Sequence, residues 1–370
     1  MRVVLSGGGT GGHIYPALAL AEAIKAQDPQ TEFLYVGSKR GVESTIVPKT
    51  GMPFEQLTVQ GFKRSLSLDN VQTVRLFFKA VKEAKQILRE FKPDVVVGTG
   101  GYVSGAVVYA AQRLGIATVI HEQNSVAGIT NKFLSRGATR IGVAFDVALD
   151  EFPRAKTRLV GNPRAQQVAS QTTQPFSWDS LDLSNDVPTL LIFGGSQGAP
   201  AINLAVLDAV EHFNDADYQV VAVTGPKRYD NFMRLLDERH LHLNNNVKIL
   251  PYIDNMPAVL RQTTAIVSRA GATSIAEITA LGLPSILVPS PFVTGNHQVK
   301  NAQSLVDAGA ALMISDPDLT GAALIEAADK LLNDATYNDK MASRADKLGM
   351  RDAADQLYAL MKEAIAINKK

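Results

Sequence analysis

Residues 3–16 read VVLSGGGTGGHIYP: the short apolar strand pattern of Val3-Val4-Leu5-Ser6 runs into a glycine cluster, Gly7–Gly12, and then into a helical pattern. A buried strand that ends in glycines and opens a helix is the first unit of a doubly wound α/β fold. Gly7, Gly9 and Gly12 satisfy G-x-G-x-x-G, a spacing that supplies a tight turn and leaves helix N-terminal amides open to an anion or a sugar oxygen. The theme returns at residues 190–199, LLIFGGSQGA, and again at residues 265–277, AIVSRAGATSIAE. Two echoing halves predict two similar doubly wound domains facing one another, with ligands held where strand ends and helix starts converge.

On either side of these segments, short β-branched runs alternate with amphipathic stretches. The first half predicts strands at Val3–Ser6, Glu32–Gly37, Asp94–Gly98, Thr118–His121 and Thr139–Val143. The second half predicts them at Thr189–Phe193, Gln219–Thr224, Val247–Leu250, Ala265–Ser268, Ser285–Pro289 and Ala310–Ile314. Most are almost continuously apolar, which implies sheets covered by helices on both faces. The polar, turn-rich stretch Ala165–Pro188 reads as the linker, with Phe176 and Trp178 able to dock on a domain surface. The expected domains are therefore 1–164, 165–345 and a helical tail, 346–370, whose Leu357, Leu360, Met361 and Ile365 form a stripe suited to packing back on the first domain.

The 370 residues carry Lys+Arg 37 against Asp+Glu 36, a formal charge of +1, so a broad phosphate footprint for nucleic acid is disfavoured. With no cysteine there is no disulfide framework, thiolate nucleophile or Cys-built zinc site. The apolar run at Val3–Leu5 is too short for a signal peptide, and no stretch is long and apolar enough to span a membrane. A dinucleotide site needs an acidic residue after the second strand, whereas that region reads Gly37-Ser38-Lys39-Arg40. No G-x-x-x-x-G-K-[ST] or H-E-x-x-H occurs, so neither a P-loop nor a zincin-type metal site is indicated.

Chemistry-bearing residues cluster around the glycine loops. His13 closes the first loop and is the leading general-base candidate, with orientation of substrate or loop as its alternative. Glu122, in His121-Glu122-Gln123-Asn124, is a second base candidate or a folding anchor, and His121 reads as a structural histidine. Glu277 could hold ribose hydroxyls or form a capping box with Ser274. Asp94 bounds a strand.

Seven segments taken together, GGGTGGHIYPALALAEAI (7–24), GTGGYVSG (98–105), HEQNSVAGITNKFLSR (121–136), GNPR (161–164), GGSQGA (194–199), SRAGATSIAE (268–277) and NHQVKNA (296–302), closely resemble the MurG family of peptidoglycan glycosyltransferases along essentially the whole chain. The resemblance implies a GT-B fold of two facing Rossmann-like domains with an interdomain cleft. It also implies transfer of N-acetylglucosamine from UDP-GlcNAc, with inversion, to the 4-hydroxyl of lipid-linked MurNAc-pentapeptide, lipid I, giving lipid II. It needs no tightly bound cofactor; a divalent cation travelling with the donor diphosphate stays open, and the sequence specifies no ligands for one.

Carried over by position, the resemblance gives donor-sugar contacts to Thr10, Gly11, Gly12, Asn124 and Gln298. Diphosphate contacts fall to Ser196 and to Ala272, Thr273 and Ser274, with Arg164 and Arg269 as electrostatic helpers. Backbone at Ile253 would read uracil and Glu277 would hold ribose. His297-Gln298 stands where some members have two glutamines, and the sugar role is carried to Gln298 alone. Acceptor contacts would come from Gly100, Gly101 and Tyr102.

Between Lys63 and Phe91 apolar spacing joins positive charge: Val71, Val74, Phe78, Val81 and Leu88 suit a packed helix face, while Lys63, Arg64, Arg75, Lys79, Lys82 and Arg89 could meet anionic headgroups. Leu66, Leu68, Leu76 and Phe77 add groups for shallow insertion, and a helix with a solvated basic face is the alternative. The family resemblance favours a peripheral enzyme on the cytoplasmic face of the membrane. Its partners would be UDP-GlcNAc, lipid I, the anionic membrane surface and cell-wall synthesis proteins, with no nucleic acid. Alternatives in other classes are a UDP-GlcNAc epimerase or glycolipid glycosyltransferase, and a catalytically silent UDP-sugar-binding protein.

Overall fold

Val3, Val4 and Leu5 are fully buried, so the strand they form has helices over both faces. The computed structural model describes residues 1–61, 69–170, 176–195 and 197–369, with backbone only at 69–71 and 294. The chain divides into a first unit, Met1–Gln167 with Met350–Lys370, and a second unit, Val168–Gly349.

In the first unit β1 (Arg2–Gly7), β2 (Glu32–Ser38), β3 (Phe54–Leu57), β4 (Val95–Gly100), β5 (Ala117–Glu122), β6 (Arg140–Val143) and β7 (Thr157–Leu159) form one parallel sheet in the order β3-β2-β1-β4-β5-β6-β7. The second unit holds β8 (Thr189–Phe193), β9 (Gln219–Val223), β10 (Val247–Leu250), β11 (Ala265–Ser268), β12 (Ser285–Leu287) and β13 (Leu312–Met313) in the parallel order β10-β9-β8-β11-β12-β13. Each unit is thus a doubly wound, Rossmann-like domain. Its winding reverses between β1 and β4 in the first sheet, and between β8 and β11 in the second. Crevices at such reversals are where open α/β sheets bind ligands, beyond the carboxyl ends of the strands.

The strands missed by sequence, β3 and β7, are short and half-exposed, so no continuous apolar run betrays them. Residues 165–188 are only partly a loop: Pro163–Ser170 is helical, and Trp178 is buried with its indole N–H donating to the Gln262 carbonyl at 2.8 Å. Helix Ala353–Asn368 lays Leu357, Leu360 and Met361 into the core formed by Leu5, Ile14, Val97 and Val119. Helix Asp69–Phe91 corrects the expected packed face, since Val74 and Phe78 are exposed and Thr73, Ala80, Val81, Ala84 and Leu88 point inward. Its register is set by an aromatic group in which Phe77 meets Tyr109 and Phe133 at centroid distances of 6.0 and 6.2 Å.

Candidate functional site

The reversal in the first sheet is built by the loops after β1 and β4. Gly101 has φ +85, and a Cβ there would lie 2.4 Å from the Gly8 carbonyl oxygen, so the two backbones approach as only glycine allows. Gly8 N donates to the Gly100 carbonyl at 3.2 Å, and Thr99 Oγ1 donates to the His13 carbonyl at 2.6 Å. Thr10 is the N-cap of helix Gly11–Gln27 but makes no side-chain cap bond, and the first turn carries no acid. That helix start retains its positive character for a ligand.

His13 is half-buried, with Nδ1 2.9 Å from the Gly8 carbonyl oxygen. A carbonyl only accepts, so the bond requires a proton on Nδ1; in the neutral ring Nε2 is then the acceptor, the state a general base needs. His121 is the opposite case. It is fully buried, its Nε2 lies 2.8 Å from the Gly161 carbonyl, and Gln123 Nε2 approaches Nδ1 at 3.0 Å. Both ring nitrogens are engaged, and burial pushes this imidazole below the ordinary histidine range, against weaker opposing contributions from Gly161 and Glu122.

Glu122 lies at the end of β5 with its carboxylate surrounded by donors. Oε1 accepts from Asn124 N at 3.1 Å and Asn124 Nδ2 at 3.3 Å; Oε2 accepts from Gly128 N and Asn131 Nδ2, each at 2.9 Å. Such a carboxylate shapes the loop carrying Asn124, which fits the anchor reading better than the base reading. Tyr102 is half-exposed and lies against Gly61, where an added Cβ would come within 2.4 Å of its ring. Arg164 donates to Gln167 Oε1 at 2.6 Å, and its guanidinium lies 5.6 Å from the centre of the Tyr15 ring.

In the second unit the loops after β8 and β11 flank the reversal. Gly198 has φ +69, and a Cβ would lie 1.8 Å from the Thr224 carbonyl oxygen, so this loop too is fixed by backbone-to-backbone packing. Ser196 lies outside the described residues, as do Lys63, Arg64, Leu66 and Leu68, and the side chain of Val71 does too. Helix Ala272–Ala280 begins after Gly271, which caps it with no side chain, and no acid sits in the first turn. The buried Thr273 Oγ1 has no hydrogen-bond partner. Because Gly271 is the N-cap, Ser274 is already inside the helix, so Ser274 and Glu277 do not form a capping box.

Arg269 departs from its expected role as a diphosphate helper. Its Nη1 donates to the Val288 and Pro289 carbonyls at 3.2 and 3.3 Å and pairs with Asp316, so its charge is already answered within the fold. Gln298 accepts from Ser290 N through Oε1 at 2.8 Å, a bond that directs its amide nitrogen the other way. Ile253 has a buried side chain in the loop after β10, consistent with any contact there being made by backbone.

One buried acid beside the first glycine loop escaped the sequence reading. Glu43, fully buried, accepts from Gly9 N and Ser38 N, each at 3.0 Å, and from the Ser38 hydroxyl. Glu43 lies three residues beyond Arg40, outside the end of β2 where a ribose-binding carboxylate is expected. Its signal was an acid following glycine and valine, at the start of the short helix Glu43–Ile46, where solvent exposure is the ordinary expectation.

Comparison with known proteins places these loops in context. Residues 3–143 match the glycosyltransferase family 28 N-terminal domain, and residues 189–357 match the glycosyltransferase family 28 C-terminal domain. The chain is 69% identical, over 100% of both chains, to the UDP-N-acetylglucosamine--N-acetylmuramyl-(pentapeptide) pyrophosphoryl-undecaprenol N-acetylglucosamine transferase of Leuconostoc citreum (strain KM20). It is 57% identical, again over 100% of both, to the enzyme of the same name from Limosilactobacillus fermentum. Among solved structures it resembles Acinetobacter baumannii MurG, with a TM-score of 0.78 at 28% identity, covering 98% of this chain and 99% of that one. A putative UDP-N-acetylglucosamine 2-epimerase from Listeria monocytogenes has a TM-score of 0.71 at 14% identity, covering 98% of this chain and 96% of that one, a likeness of fold alone.

Proposed function

The chain belongs to glycosyltransferase family 28, and from that premise we infer that it transfers N-acetylglucosamine from UDP-GlcNAc to lipid I, forming lipid II for peptidoglycan synthesis. The observation that carries this reading is identity to the named transferases along the full chain, with the glycine loops of both domains at the winding reversals.

In the reaction we propose, His13 Nε2 takes the proton of the muramyl 4-hydroxyl as that oxygen attacks the anomeric carbon. The bond from that carbon to the β-phosphate oxygen breaks, and UDP departs with the electron pair, giving inversion in a single displacement. Open amides at the start of helix Ala272–Ala280 stabilise the departing diphosphate by hydrogen bonding and by the helix dipole. Glu277 holds the ribose, Gln298 and Asn124 meet the sugar, and Glu122 keeps Asn124 in place. The first domain serves acceptor and base and reaches the donor sugar through Asn124; the second holds the nucleotide.

Membrane attachment we assign to the surface of helix Asp69–Phe91 and the neighbouring helix Ile129–Ser135. Val74, Phe78, Ile129 and Phe133 are exposed there, beside exposed Arg75, Lys79 and Lys82. Apolar groups rimmed by cations suit an anionic lipid surface. Among the described residues no helix is long and apolar enough to cross a membrane, so attachment in this reading is peripheral.

The deciding experiment incubates the protein with labelled UDP-GlcNAc and lipid-linked muramyl-pentapeptide. A labelled lipid-linked disaccharide is the expected product. Free N-acetylmannosamine would instead indicate epimerisation, and donor binding without product would indicate a silent binding protein.

A further inference from the structure

The buried carboxylate of Glu43 and the ring of His13 share one peptide group. His13 Nδ1 lies 2.9 Å from the carbonyl oxygen of Gly8, and the N–H on the other side of that same peptide, belonging to Gly9, donates to Glu43 Oε2 at 3.0 Å. Gly9 N, Ser38 N and the Ser38 hydroxyl all donate to Glu43, so the group acts as an acceptor. No freedom to swing is left to it: a Cβ at Gly8 or at Gly41 would come within 2.2 Å of its oxygens, so these glycines wrap the carboxylate directly. Tyr35, whose phenol is pushed up by burial first and by Glu43 second, donates to the Gly7 carbonyl at 2.8 Å and holds the preceding peptide.

We propose that Glu43 is a positioning residue for His13, acting through the Gly8–Gly9 peptide to keep the imidazole proton on Nδ1 and Nε2 free to accept. An acceptor at one end of an amide polarises it, so the carbonyl at the other end becomes the better acceptor. A carboxylate commonly fixes a histidine tautomer by direct contact with the ring. Here a peptide stands between them, and the same contact fixes the glycine loop. Free imidazole has no such bias imposed on it, and the Nε2–H tautomer would present a donor to the attacking hydroxyl instead of an acceptor. The catalytic importance of the assignment rests on the reading of His13 as base, whereas the tautomer it predicts does not.

The test uses the full chain with 15N-labelled histidine, the His13 signals being identified by their loss in His13→Ala. Nitrogen chemical shifts report which ring nitrogen carries the proton. In the parent, neutral His13 is expected as the Nδ1–H form. Glu43→Gln, with backbone amide dispersion retained, is expected to transfer a substantial share of His13 to the Nε2–H form. It should also slow single-turnover transfer by about tenfold, less than outright loss of a base, with UDP-GlcNAc affinity little changed. An unchanged Nδ1–H tautomer in folded Glu43→Gln overturns the proposal, even if activity falls. Should that variant fail to fold, Glu43→Asp keeps the charge while withdrawing it by one methylene from Gly9 N. The same tautomer shift is expected there, and its absence is equally fatal. If the tautomer shifts as expected but the parent makes no disaccharide, the positioning role stands and the transferase reading fails.

Discussion

The loops at the winding reversal of the first sheet and those at the reversal of the second share a topology and close glycine backbone packing, to which the first adds buried carboxylates. In the first unit Gly101 packs on Gly8, and buried side chains add to this: Glu43 under the Gly7–Gly12 loop, Glu122 inside the loop after β5, and Gln123, whose amide donates to the Thr99 carbonyl. In the second, glycine backbones pack against backbone at Gly198 and Gly225, and the Ala272–Ala280 helix begins without a side-chain cap. In the proposed mechanism the first region aims one imidazole, a task suited to fixed side chains. The second, in the same proposal, receives a diphosphate, a task suited to main-chain donors left open. This difference predicts that the first unit decides the rate and the second decides donor affinity.

The strongest challenge to that division is His13→Ala, expected to lower single-turnover transfer by about 10²–10⁴-fold while UDP affinity is retained. Glu122→Gln is its comparison. Replacing one of its accepting oxygens by an amide sets donor against donor in a buried site, so it should lose about 1–3 kcal/mol of stability in urea unfolding. Near-parental turnover in His13→Ala, with Glu122→Gln folded, able to bind both substrates and inactive, would move the base to Glu122.

For the second unit, Glu277→Ala should weaken UDP and UDP-GlcNAc alike by roughly 10- to 100-fold, the size expected when hydrogen bonds to a charged group are removed. Gln298→Ala should weaken UDP-GlcNAc and spare UDP. Calorimetry with both ligands checks the pair, and unchanged UDP affinity in a folded Glu277→Ala variant would break the assignment.

Acid should also separate the two regions. Burial holds the folded-state His121 below its unfolded value, so the unfolded chain takes up the proton first. The stability this imidazole provides is fully present above about pH 6.5 and declines as pH falls toward the folded value, by at most about 1.4 kcal/mol per pH unit. Hydrogen exchange at β5 should therefore accelerate beyond its intrinsic pH dependence between pH 7 and 5.5, more than at β9. Equal protection losses in the two strands would count against the distinction.

The smallest effect belongs to the surface. Lys79→Glu with Lys82→Glu should reduce sedimentation with anionic vesicles, each lysine contributing about 1 kcal/mol near such a surface. The difference should shrink as salt is raised, since screening acts over about 8 Å at physiological ionic strength. Equal binding of parent and double variant at low salt would remove this helix as the principal attachment site.

Residue pattern alone made the winding of both sheets legible, together with the glycine loops at their reversals. A strand buried on both faces must be apolar throughout, and a strand-to-helix turn that approaches another backbone must be glycine, so β1, β4, β8 and β11 and their loops were all legible. Edge strands β3 and β7 were not, because half-exposed strands of three or four residues carry no sustained pattern. Charge assignments depended wholly on tertiary structure. Arg269 reads as a cation beside a phosphate loop until Asp316, 47 residues away, is found answering it. Glu43 reads as a surface acid until the Gly7–Gly12 loop is folded over it, 34 residues from its partner Gly9. Periodicity reports only which face of an element is buried. What a buried charge is paired with is fixed by distance and direction in three dimensions, which depend on segments remote in sequence.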